Sequence, residues 1–383
     1  MPITTIIDAS FGDCGKAKVV DYFAKDSDIV ARYCGSSNSG HTIVVDGEKY
    51  ITRLIPSALL YRHVKLVIAQ GVLLDIEVLL NEIKQFSKFD ILSRLLVSDK
   101  CHVLFPYHKA ADRENEKQTN SKIGSTKNGV AFCAQDKFGR RGIRAVDMLK
   151  DIYKTTDNIK ENMKFWNIND TSVYDQSVNL MLEMLKYKEI FVDTCKYINQ
   201  NLDKNIIAES AQGVFLDIEN GYFPYVTSIP CTAAGAALGL NVSPRAIGQG
   251  NIVGLTKAYT TRVGNGDFKT ELDGDIAETI RKNGDEYGSV TKRPRRVGWL
   301  NLDELRHAHM VNSFDSLFLT KIDVLNNLQT VCIFADDKYI KFDGWKSYED
   351  ENCKKYVKAI EDICKVPVSY ISFGAERSQC AKR

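Results

Sequence analysis

The sequence predicts an α/β protein, a single large domain around a mostly parallel β-sheet, on three observations. Short apolar, β-branched runs alternate with longer segments of helical periodicity. The first such run passes through a glycine turn straight into a helical segment, as a βα unit does. Prolines number 8 in 383 residues and none clusters into a boundary, so one domain spanning 1–383 fits better than two.

Ile3–Ile7 reads as a buried strand and Lys16–Ala24 as the helix after the glycine turn. His41–Ile55 reads as a hairpin, with Asp46-Gly47 as its type I′ signal. Val64–Ala69 is a strand, and Leu74–Phe86 has the i, i+3, i+4 spacing of an amphipathic helix. A helical insertion, polar on one face, occupies roughly 145–203. Ile206–Glu209, Ile252–Tyr259, Ser316–Thr320, Thr330–Phe334 and Val366–Ser372 complete the predicted strands. No internal repeat or low-complexity linker interrupts them.

Composition excludes several function classes. Hydrophobic residues at 44% and charged residues at 26% are ordinary for a globular protein. A formal net charge of +2 without a basic block argues against non-specific nucleic-acid or membrane binding. Ten cysteines occur without a CxxC pair or metal-ligand spacing, so reduced structural thiols are expected. The start, MPITTIIDASFGD, has no cationic segment before a long apolar one. The expected location is the cytoplasm, that of the host if the source is viral.

Chemistry enters at Asp8–Lys18. Small residues between a strand and a helix let backbone N–H groups approach a phosphate, and Lys16 at the helix N-terminus favours its charge. The Walker spacing GxxxxGK[ST] is not met. A ligand-free glycine turn would look much the same. A second motif, Gly35-Ser-Ser-Asn38-Ser-Gly40-His41-Thr42, stands just before the hairpin.

Together these motifs strongly resemble the adenylosuccinate synthetase family. The resemblance continues in order through Ile123–Thr126, Asp136–Gly142, Glu209–Gly213, Tyr225–Ser228, Thr261–Gly264, Thr291–Trp299, Thr320–Asp323 and Ser372–Gly374. It implies a P-loop-NTPase-related α/β fold, a homodimer, and a Mg²⁺- and GTP-dependent ligase. In that chemistry O6 of a 6-oxopurine nucleotide is phosphorylated, and the amine of L-aspartate then displaces phosphate.

Residue roles follow from the resemblance alone. Asp13 matches the general base for N1 and, with the carbonyl of Gly40, the metal ligands. His41 matches the general acid, and Lys16 the cation on the transferring phosphoryl group. GTP would be bound by Gly12, Gly15, Lys16, Ala17, Gly40 and Thr42, and on its far side by Arg295, Lys321, Asp323, Ser372 and Gly374. Lys321 packs on the guanine, and Asp323 accepts from its N1–H and 2-amino group. Asn38, Thr126, Gln212, Thr227 and Arg293 match the purine-nucleotide contacts, with Arg140 reaching across from the neighbouring subunit. Val290, Thr291, Arg293 and Arg295 match the aspartate loop, where guanidinium forks suit two carboxylates.

Departures cluster near the purine. Phe11, Cys14 and Ala17 stand where tryptophan, glutamate and glycine are typical, and Ile229-Pro230-Cys231 interrupts an SSNTT-like stretch. They resemble a viral branch of the family that acts on dGMP in the 2-aminoadenine pathway. On that ground dGMP is expected slightly ahead of IMP, through a pocket opened beside C2 at Ser228–Pro230. Two other classes are weighed. A regulatory GTP switch would lack a second-substrate site, and a catalytically dead relative would have lost Asp13, Lys16 or His41.

Overall fold

The structure, a computed structural model, describes residues 3–38, 40–118, 126–287 and 294–383. Strand β1 (Thr4–Asp8) forms from a β-branched run buried almost throughout. After it come β2 (Ile29–Arg32), the hairpin β3 (His41–Val45) and β4 (Glu48–Thr52), and β5 (Lys65–Ile68). Next are β6 (Leu73–Asp75), β7 (Leu95–Ser98), β8 (His102–Leu104) and the two-residue β9 (Phe191–Val192). The remainder supplies β10 (Ile206–Glu209), β11 (Asn251–Lys257), β12 (Tyr259–Arg262), β13 (Arg296–Asn301) and β14 (Ser316–Thr320). Last are β15 (Thr330–Ala335), β16 (Lys338–Asp343), β17 (Val368–Ser372) and β18 (Cys380–Lys382).

Ten of these form one sheet in the order β18-β17-β14-β11-β1-β10-β2-β5-β7-β9. Every pairing in it is parallel except β17 with β18 at the edge. Side chains alternate across the pleat: Ile7, Ile29 and Ala31 join one apolar cluster, and Ile6 and Val30 join the other. The sheet therefore has a core on each face. The expected α/β class with a mostly parallel sheet is what the chain adopts.

Two strand expectations change in detail. Ile252–Tyr259 is not one strand: β11 stops at Lys257, and β12 starts at Tyr259 in a second sheet ordered β12-β13-β15-β16. Lys257, the last residue of β11, still pairs with Thr320, and its ammonium reaches the buried carboxylate of Glu286 at 3.1 Å. The run beginning at Thr330 also belongs to that second sheet. It pairs antiparallel with β16 because Asp336 and Asp337, at φ 49° and 59°, make a two-residue left-handed turn. In the hairpin after Gly40, Asp46 and Gly47 have φ 52° and 79°, as the Asp-Gly signal predicts.

The helix Lys16–Ala24 has the predicted bounds. The segment expected to be helical contains Ala145–Lys150, Ile152–Phe165, Thr171–Met184 and Thr194–Gln200. All ten cysteines are free thiols. Among the described residues no helix is long and apolar enough to cross a membrane.

Candidate active site

In a parallel sheet, ligands bind outside the carboxyl ends of the strands. Here those ends carry charge or hydroxyls after apolar runs: Asp8 on β1, Arg32 on β2, Glu209 on β10, Lys257 on β11, Thr320 on β14 and Ser372 on β17. All six are buried.

Asp8 shapes the phosphate turn from within. Its Oδ1 accepts the N–H groups of Ser10 at 3.1 Å and Gly12 at 3.2 Å, and its Oδ2 accepts that of Cys14 at 3.0 Å. The chain passes through left-handed geometry at Gly12, Asp13 and Gly15, with φ 86°, 60° and 79°. Gly213 packs against this turn so closely that a Cβ there would stand 2.3 Å from the Ser10 carbonyl oxygen. The following helix begins at Lys16 with no side chain capping its N-terminus, which leaves donors and dipole for an anion. Lys16 Nζ donates to the Gln212 carbonyl at 2.6 Å and lies 3.7 Å from Asp8.

These groups open on a cavity of about 550 Å³. Its walls include Gly12, Asp13, Gly15, Lys16 and Ala17 from the turn, and Asn38, Gly40, His41 and Thr42 from the second motif. Thr126, Gln212, Arg295, Lys321, Ser372 and Gly374 line it too, so segments far apart along the chain meet there. Gln212, itself at φ 53°, donates from Nε2 to Asn38 Oδ1 at 2.9 Å.

His41 is held by a buried carboxylate that the sequence analysis did not single out. Its Nδ1 donates to Glu209 Oε1 at 2.6 Å. Glu209 also accepts from Ser57 Oγ at 2.7 Å and from the Ser57 N–H at 2.9 Å. On the other side of the ring, Nε2 accepts from Arg32 Nη2 at 3.2 Å. Burial first, and the Arg32 charge next, push the imidazole down to about 4 against the opposing Glu209 bond. Burial alone would raise Glu209, but the bond and charge of His41, then Arg32 and the Ser57 N–H, hold it at about 2. The dyad is a neutral imidazole, protonated on Nδ1, beside an ionised carboxylate.

A second buried carboxylate gathers the cations that approach the cavity through Arg295 and Lys321. Glu286 Oε1 accepts from Lys257 Nζ at 3.1 Å, Lys321 Nζ at 2.7 Å and Tyr259 OH at 2.5 Å. Its Oε2 accepts from Arg295 Nη1 at 2.7 Å. Burial would raise this group, yet the charges of Lys257, Lys321 and Arg295 hold it well below the usual carboxylate range. Arg295 Nε then stands 3.1 Å from Asp13 Oδ2, an ion pair that sequence spacing could not reveal.

At the far end, Lys18 Nζ donates to Ser372 Oγ at 2.8 Å, the Gly374 carbonyl at 2.7 Å and the Gln379 carbonyl at 3.0 Å. Asp323 is not a lining residue of the cavity, although Lys321 is, and burial raises its carboxyl. Thr227 and Arg140 do not line it either. Val290, Thr291 and Arg293 lie outside the described residues, as do Ser39 and residues 123–125. The pocket expected at Ser228–Pro230 is not part of this cavity, because Ile229 is 3% exposed and packs into the core.

The missed residues share one signal. Arg32, Glu209 and Lys257 each end a short apolar run, as IVAR, IIAE and GLTK. A charge closing a buried parallel strand points into the site.

Comparison with known proteins agrees with this geometry. The family model described as adenylosuccinate synthetase matches residues 5–344. An adenylosuccinate synthetase of Thermodesulfovibrio yellowstonii is 39% identical, with 99% of this chain and 98% of that protein covered. One from Hydrogenobaculum sp. is also 39% identical, over 97% of each chain. The fully ligated adenylosuccinate synthetase of Plasmodium falciparum superposes with a TM-score of 0.95 at 32% identity, covering 100% of both chains. The succinoaminodeoxyadenylate synthetase of cyanophage S-2L, solved with dGMP and dATP, gives 0.70 at 18% identity, covering 100% of this chain and 95% of that one, a likeness of fold alone.

Proposed function

The chain belongs to the adenylosuccinate synthetase family, ligases that form a C–N bond, and from that premise we propose that it joins L-aspartate to C6 of IMP using GTP. The observation that carries this is the convergence of Asp13, Lys16 and His41 on one cavity at the carboxyl ends of the parallel strands. A signalling switch would need only the phosphate turn. Here the cavity wall runs on to Gln212 and Arg295, where a second substrate has room.

The sequence places dGMP slightly ahead of IMP; two observations support IMP instead. Relatives at 39% identity over nearly the whole chain are named adenylosuccinate synthetases, whereas the dGMP-bound phage protein is 18% identical. Neither Ile229 nor Pro230, on which the dGMP expectation rested, lines the cavity, and Ile229 packs into the core.

In the proposed reaction Asp13 removes the N1 proton so that O6 attacks the γ-phosphorus, whose bond to the β–γ bridging oxygen breaks to release GDP. The aspartate amine then adds at C6, the C6–O6 bond breaks to release phosphate, and the amine loses a proton. Lys16 offsets charge on the moving phosphoryl group. His41 faces the leaving nucleotide through Nε2, and the Glu209 bond fixes the ring. To donate there, Nε2 must exchange the Arg32 hydrogen bond for a phosphate oxygen, whose charge also favours the imidazolium. Asp13 and the Gly40 carbonyl suit Mg²⁺, which takes few protein oxygens and completes its shell with phosphates and water. Bound there, the ion would neutralise phosphate charge.

Arg140 completes the site from a second subunit in this reading. Phe138 and Phe165 beside the Arg140-Arg141 turn are 75% and 55% exposed, an apolar surface suited to a homodimer. Incubation with Mg²⁺, GTP and L-aspartate against IMP, dGMP and GMP in turn, with products weighed by mass spectrometry, tests the assignment. Efficient succinylation of IMP is expected; conversion of dGMP alone would restore the viral-type reading.

A further inference from the structure

Glu286 is fully buried and does not line the cavity, yet two residues that do line it, Lys321 and Arg295, are bonded to it. Its two oxygens divide the work. Oε1 holds Lys321, together with Lys257 and Tyr259, and Oε2 holds Arg295. Its backbone acts as well. The Glu286 carbonyl accepts the Arg295 N–H at 2.9 Å, and Tyr287 bridges to Pro294 in antiparallel fashion. These two contacts tie the backbone at Arg295 to the backbone at Glu286.

We propose that Glu286 is a positioning residue that sets the guanine-side lysine and the aspartate-side arginine together, so that affinity for GTP and for L-aspartate depends on one buried carboxylate. This rests on the assignment of Lys321 to GTP and of Arg295 to L-aspartate. Without the carboxylate, two ammonium groups and a guanidinium from three separate elements would repel one another at the cavity wall. Lys321 would lose the anchor that lays its stem along the wall, keeping only the Gly284 carbonyl at 2.7 Å. Arg295 would be left to Asp13, the expected base. Glutamine keeps the shape but offers one acceptor oxygen, so it cannot serve both sides.

Steady-state kinetics of the full chain test this with three variants. Glu286→Gln should raise the KM for GTP and for L-aspartate by about tenfold each, the size of one lost charged hydrogen bond. The KM for the purine nucleotide should stay within about twofold. Tyr259→Phe removes one neutral donor to the same oxygen, and should shift the same two constants in the same direction by about two- to threefold. It decides the matter if Glu286→Gln does not fold. A rise in only one of the two constants overturns the proposal, as does a uniform change in all three with a lowered melting temperature. Lys321→Met separates the underlying assignment from the proposal: an unchanged KM for GTP in that variant would show that the guanine-side reading itself is wrong.

Discussion

Two buried carboxylates each hold residues that line one cavity, His41 for Glu209 and Lys321 with Arg295 for Glu286, and they behave differently because of what surrounds them. Glu209 and Glu286 are each fully buried, and each is held below the usual carboxylate range. Glu209 faces an imidazole, which is neutral at pH 7 and can still take up a proton, because burial and the Arg32 charge push it down to about 4. Glu286 faces two ammonium groups and a guanidinium, whose charges do not change near neutral pH. The first arrangement suits a proton donor; the second makes a fixed electrostatic frame. Buried charge by itself says little about role until its partners are known.

The sharpest break in this comparison comes from a cavity-lining group on the side of each carboxylate. His41→Asn on the Glu209 side and Asp13→Ala on the Glu286 side should each lower kcat by about 10²–10⁴-fold. GTP binding should stay measurable by calorimetry. A near-normal kcat in either variant would remove that residue from the chemistry.

Acid should separate the two carboxylates next. His41 is pushed down to about 4 in the folded protein, from 6.5, so the unfolded chain binds this proton first as pH falls. Its contribution is therefore present above pH 6.5 and lost as pH drops through about 4, on the order of 3 kcal/mol at ~1.4 kcal/mol per unit. Glu209 follows between 4.5 and about 2. Denaturant titrations between pH 7 and 4 should show this slope, and His41→Asn should flatten it. Hydrogen exchange should rise near Ser57 and Glu209 in that window before it rises near Lys257 and Glu286.

Asp323→Asn tests the fixed frame more gently. An amide must present donors where the carboxylate accepted two, a mismatch of about 1–3 kcal/mol. Preference for GTP over ATP should fall by roughly ten- to a hundredfold, and equal use of both by the unaltered protein would cancel the assignment. The smallest expected effect is at Arg140, outside the cavity of this chain. Arg140→Ala should raise the KM of the purine nucleotide by about tenfold, at the scale of one charge-assisted contact. Mixing it with Lys16→Ala should restore part of the activity if subunits share sites. No recovery, with exchange of subunits demonstrated, would confine each site to one chain.

Much of this was legible in the residues. The βα start at Thr4–Ala24, the Asp-Gly hairpin and the strands at 206–209 and 316–320 follow from local rules of apolar period, turn chemistry and helix start. The motif residues Gly12, Asp13, Gly15, Lys16 and Ala17, with Asn38, Gly40, His41 and Thr42, reach the cavity because their positions after β1 and β2 are set by the chain itself. The break at Ala258 was not legible, since GLTKAYTT reads as one continuous strand, while the strands on either side of Ala258 pair in two different sheets.

The sequence by itself determined the fold class, the phosphate turn, and the family to which Asp13, Lys16 and His41 belong, because those depend on near neighbours along the chain. The tertiary structure decided which carboxylate meets which cation. Glu209 lies 168 positions from His41, and Glu286 lies 35 from Lys321 and 29 from Lys257. Pairing across such separations is set by strand order in the sheet, and the charge state of a buried group depends on the dielectric and partners found only after the chain has packed.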